Sequence, residues 1–171
     1  MLMDMKTKTI LMLIILAITS FSLAAQTVSE KTVKGTTYVI TQYDGIIGKE
    51  VKNKNGLFDK YIKEISYCPN NIKGYNITNR DLARKIFTKE RIKKLAETPV
   101  EANISIALIC SSFGDVVALQ FISVNTDVIA WDEIKALEDA CLNIKYVFDT
   151  SKCPDAKYFM IAYPINFPKL L

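Results

Sequence analysis

The residues of this 171-residue chain best suited to chemistry are four cysteines, at positions 68, 110, 141 and 153, and no histidine accompanies them. A Ser-His-Asp or Cys-His nucleophile system of the usual kind is therefore excluded, and the commonest zinc ligand is missing. None of the cysteines forms the close pair that metal sites use. What remains for the thiols is disulfide formation, with three ways of pairing all four. Cys110 lies among alternating apolar residues and Cys141 on a helical apolar stripe, so both read as small core residues. Packed layers sit roughly 10 Å apart, whereas a disulfide needs Cα atoms within roughly 7 Å. A bond between these two would require the helix end to dip towards the sheet. Cys68 and Cys153 fall in loops, each followed by proline. The expected bond, if any, is Cys68–Cys153, with Cys110 and Cys141 reduced and buried. Among the acids, Asp132 and Glu133 are adjacent, and neighbouring positions on a helix point in different directions, so they read as solvated surface rather than a catalytic pair. No catalytic residue, metal ligand or cofactor is assigned.

The chain opens with Lys6 and Lys8, an apolar run from Ile10 to Ile18, and the small-residue stretch Ser22-Leu23-Ala24-Ala25. That order is a secretory signal peptide. Ala25 and Gln26 flank the expected cut, with a cut after Ala24 as the alternative, and Met5 is a candidate start. The stretch from Ile10 to Ala25 is shorter than the roughly 20 residues of a membrane-spanning helix. No cysteine lies near the cut to accept a lipid. Residues 1–25 are thus a leader and residues 26–171 the mature protein, periplasmic or secreted, without a stable membrane anchor after cleavage.

The mature part is long enough for one domain with a proper core. From Gln26 to Pro99 there are 15 Lys+Arg against 8 Asp+Glu, or +7; from Val100 to Leu171 there are 5 against 9, or −4. The basic half could face an anionic envelope surface, although a solvated helix face is the simpler reading. The charge is too dispersed for a nucleic-acid partner.

Thr36 to Tyr43 is rich in β-branched and aromatic residues and predicts a strand. Asp44-Gly45 gives a turn, with Ile46 to Val51 returning as a second strand. Apolar spacing predicts a short helix over 57–66, and 67–78 reads as loop. Thr78 and Thr88 are N-cap candidates for two short basic helices, 79–87 and 89–97. From residue 102 the pattern is clearer. Ala102 to Ser111 alternates with period two, Ser112–Asp115 turns, and Val116 to Asn125 returns antiparallel. Ala130, Ile134, Leu137, Cys141 and Ile144 then form a helical stripe, with Asp127 as candidate cap and Trp131 as a core-boundary residue. Lys145 to Asp149 predicts a short strand. Ala156 to Phe167 is the last strand, placed at a sheet edge by Pro164. The fold class is α+β: an antiparallel sheet with a packed helix (β-β-α-β over 100–171), preceded over 26–99 by a short β-hairpin and short helices.

Asn103-Ile104-Ser105-Ile106-Ala107-Leu108, the Gly114-Asp115-Val116 turn, the helix near 131–144 and Ile161-Ala162-Tyr163-Pro164-Ile165-Asn166-Phe167 resemble the C-terminal domain of TonB-type energy transducers. The resemblance covers roughly 70 residues. It implies a periplasmic β-β-α-β module that pairs with an extended segment of an envelope protein by strand addition. The family's membrane anchor and Pro-rich spacer are absent here, so force transmission is not implied. The function expected is a non-catalytic envelope binding module. The alternatives are a secreted enzyme without histidine-dependent catalysis and a structural envelope accessory protein.

Overall fold

The computed structural model describes residues 26–68 and 71–171; Ala25 and the rest of the expected leader lie outside the described residues. The elements in chain order are β1 (Gln26–Val33), β2 (Thr36–Tyr43), β3 (Lys49–Asn53), α1 (Phe58–Tyr61), β4 (Ile72–Tyr75), α2 (Asn79–Ile86), α3 (Lys89–Ala96), β5 (Ile104–Ser111), β6 (Val116–Val124), α4 (Trp131–Cys141), β7 (Tyr146–Phe148) and β8 (Tyr158–Ile165). A 3-10 turn, Phe167–Leu170, closes the chain. Six strands form one antiparallel sheet in the order β1-β2-β3-β6-β5-β8, and β4 pairs with β7 separately. The protein is an α+β fold.

The core explains this order. β5 buries Ile104, Ile106, Leu108 and Cys110 on one face and Ala107 and Ile109 on the other, so it belongs inside the sheet. The first face receives Ile134, Leu137 and Cys141 of α4. Leu82 and Ala83 of α2 and Ile92 and Leu95 of α3 extend the same apolar cluster, which also holds Val33, Tyr38 and Val51 from the N-terminal strands. Both sequence halves therefore share one core. The helix starts follow local chemistry: the Thr78 and Thr88 hydroxyls accept the Asp81 and Arg91 amide N–H at 3.0 and 3.2 Å, satisfying N–H groups that have no partner inside the helix.

Several elements depart from the sequence reading. The strand expected over 46–51 is β3 at Lys49–Asn53, because residues 44–48 complete the turn and Val51 must reach Phe121 on β6. β1 has no counterpart in the sequence pattern, because it is exposed except at Val33 and carries no apolar alternation. The supposed loop 67–78 contains β4, whose partner is the short strand β7 rather than the main sheet. Asp127 does not cap α4: it pairs with Lys49 at 3.3 Å. The helix begins instead at Ala130, whose N–H donates to Glu133 Oε2 at 2.8 Å. Asp132 and Glu133 point apart as expected, but Glu133 is not free. It takes a two-pronged bond from Arg91, Nε to Oε1 at 2.7 Å and Nη2 to Oε2 at 2.8 Å.

Candidate binding groove

Three polar features stand out, and they behave differently. The first is a buried cluster where the N-terminal strands meet α4. Glu138 is 4% exposed, yet both its oxygens are satisfied: the Tyr38 hydroxyl donates to Oε2 at 2.5 Å and Asn53 Nδ2 to Oε1 at 3.0 Å. Lys135 stands 3.7 Å away. Burial, and next the neighbouring Glu138, push the Tyr38 hydroxyl far above its ordinary pKa, so it stays a donor. Trp131 stacks obliquely on Tyr38, ring centroids 5.8 Å apart, at the boundary of the core. With every partner in place, this cluster fastens α4 to β2 and β3.

The second feature is the thiols. The sulfurs of Cys68 and Cys153 are bonded, with Cα atoms 6.2 Å apart. Cys110 and Cys141 are free and buried. Burial pushes both of their thiols up to about 12, leaving them protonated and unreactive near neutral pH. Among the described residues, no group of three or more Cys, Asp or Glu is placed to hold a metal ion, and no helix is long and apolar enough to cross a membrane.

The third feature is a groove of about 520 Å³ along the outer edge of β8, lined by Ile65, Tyr67, Cys68, Asn71, Met160 and Ala162 among others. Its geometry follows from strand parity. The Ser66 N–H donates to the Tyr158 carbonyl at 2.9 Å, so the polar groups of Tyr158 point away from β5. Backbone direction alternates along a strand, and the groups of Met160, Ala162 and Pro164 therefore point outwards as well. Tyr158 is bridged by Ile65 and Ser66. Pro164 has no N–H, and its carbonyl accepts from Asn79 Nδ2 at 2.8 Å. Both ends of the edge are thus closed. Between them the N–H and C=O groups of Met160 and Ala162 face the groove, with no neighbouring strand among the described residues.

Asn71 lines the same groove. It is 7% exposed, and its backbone carbonyl accepts the Asp149 N–H at 2.6 Å. Its side-chain Nδ2 has no partner among the described residues. A buried amide left without a partner costs about 1–3 kcal/mol. Around the groove Tyr67 is 91% and Met160 52% exposed, an uncommon display of large apolar side chains. No charged residue is among those lining it. The Cys68–Cys153 bond holds one wall, and a small cluster of Cys68, Ala156 and Phe159 lies behind it.

Of the residues singled out in the sequence, Cys68 lies in this groove, Cys153 supports it from behind, and Gln26 begins β1 at the far end of the sheet. Asn71 had no distinguishing signal: it is one of three asparagines in a loop-like stretch. Pro164 marked β8 as an edge.

No family model matches this chain, and no curated protein matches it. Among solved structures it is similar to a DUF5043 family protein from Bacteroides uniformis ATCC 8492, with a TM-score of 0.59 at 16% identity over 85% of this chain and 89% of that one. At that identity the likeness concerns the fold. Nothing in these comparisons links the chain to a TonB C-terminal domain.

Proposed function

We propose that the chain is an exported envelope protein, periplasmic or secreted, that acts as a non-catalytic binding module by holding an extended segment of another envelope protein as an added strand on β8. The observation that carries this reading is the two-residue gap at Met160 and Ala162, where no strand among the described residues pairs with the outer edge of β8. Strand addition supplies what the groove lacks: a ladder for the outward backbone groups of Met160 and Ala162. The groove also limits its occupant. Ser66 and Pro164 stop the ladder at either end, so the captured stretch is short and must bend away on both sides. A second copy of β8 fits poorly, because its continuation would run into Ser66. The uncharged lining favours apolar and neutral polar side chains.

Peptides selected from a display library on the folded protein test this reading. The decisive variant is Ala162→Pro, which removes an outward N–H without breaking a bond to β5 and repeats the chemistry already tolerated at Pro164. Selected peptides should lose binding to it while its circular dichroism is unchanged; peptides that bind it equally well would remove the support for strand capture. Export is tested separately: the native protein should begin at or within one residue of Gln26.

A further inference from the structure

A second surface, remote from β8's edge in chemistry, has a different character. Five cations gather where the closing turn lies against α2 and α3: Arg80, Arg84, Lys89, Lys93 and Lys169, all exposed. Arg84 Nη2 donates to the Leu170 carbonyl at 2.9 Å and Arg80 Nη2 to the Lys169 carbonyl at 3.4 Å, which fixes both guanidinium groups at the chain end. Lys89 and Lys93, one helical turn apart, line the same hollow of about 560 Å³ with Arg84. None of the five forms an ion pair among the described residues. The nearest acid on α2, Asp81, is engaged with the Thr78 hydroxyl at 2.7 Å. The floor of the hollow is apolar, formed by Phe87, Ile92 and Leu170, and Leu171 stands 66% exposed at its rim.

We infer that this face docks on an anionic lipid surface, with headgroup phosphates against Arg84, Lys89 and Lys93 and Leu171 entering the acyl boundary. Cationic walls over an apolar floor match an anionic head joined to a hydrocarbon tail. A free phosphate would leave the floor unused. An acidic peptide would lay its backbone amides on apolar side chains that offer no hydrogen bonds. The inference is independent of strand capture, since the hollow shares no lining residue with the groove.

Vesicle co-sedimentation of the mature chain tests it. Partition should be strong onto phosphatidylcholine–phosphatidylglycerol vesicles, weak onto pure phosphatidylcholine, and reduced by salt. The Lys89→Ala/Lys93→Ala variant should partition roughly thirtyfold less, the fold-change of about 1 kcal/mol for each cation near an anionic surface. Leu171→Ser should weaken binding while leaving charge unaltered. A control variant, Lys31→Ala/Lys63→Ala, removes equal charge from other surfaces and should bind as the parent does. Equal loss in the control, or equal binding to neutral vesicles, would overturn the assignment.

Discussion

The two ends of the sheet solve the edge-strand problem in opposite ways. Among the described residues no strand pairs with the outer edge of β1, which carries Glu30 and Lys31, with Glu30 ion-paired to Lys54 at 2.8 Å. Charges on an edge discourage pairing with other chains. β8 has no such charges. It is protected by confinement: the Ile65–Ser66 segment closes one end, Pro164 and Asn79 close the other, and apolar side chains surround the remaining gap. The supporting polar groups differ in the same sense. Behind the N-terminal strands the Glu138 carboxylate has each oxygen bonded, whereas beside β8 the Asn71 amide nitrogen has no partner among the described residues. The Glu138 cluster, with each partner in place, belongs to architecture; the Asn71 amide nitrogen is enclosed rather than open to the groove, and the buried Tyr163 hydroxyl is likewise without a partner among the described residues.

This contrast can be strained at either end. The largest effect is expected from Cys68→Ser/Cys153→Ser, which removes a bond spanning a sequence separation of 85. The loss should reach about 4 kcal/mol on the chain-entropy model, read by denaturant melting, and peptide binding should weaken as the groove wall loosens. Parent-like stability would show that the bond does not form in the native protein. At the other end, Glu138→Ala should lose about 2–3 kcal/mol, since it strands the Tyr38 hydroxyl and the Asn53 amide, while peptide binding stays intact. Asn71→Leu should act in reverse, raising stability by about 1 kcal/mol by removing a buried amide that has no partner among the described residues. A variant that loses stability would place Asn71 with Glu138 as architecture.

The smallest effect is on pH dependence. The Ser151 hydroxyl and backbone N–H, with Lys73, hold the Asp149 carboxyl down at about 2. Its folded pKa is depressed, so its contribution is present above the ordinary carboxylate range and is lost as pH falls towards 2. Asp149→Asn should lower stability slightly near neutrality and flatten the acid limb, the two proteins converging as pH falls towards 2.

Much of the scaffold was legible in the sequence, and the groove was not. The β5–β6 hairpin and the α4 stripe follow from periodicity, and the two threonine caps from local hydrogen bonding, all of which act within a few residues. β1 and β4 lacked alternation, because one is exposed on both faces and the other is a four-residue strand with a three-residue partner. Pro164 indicated an edge. Which residues of that edge stay open depends on Ser66 and Asn79, which approach from 92 and 85 positions away in sequence (158 − 66 and 164 − 79).

Amide hydrogen exchange at β8, with and without a saturating selected peptide, tests strand capture most directly. In the free protein Met160 and Ala162 should exchange fast, while Phe159 and Ile161, bonded to β5, exchange slowly. With peptide bound, Met160 and Ala162 should become protected and the β1 amides should not change. Protection that appears at β1, or peptide binding that leaves Met160 and Ala162 exchanging as before, would contradict the account.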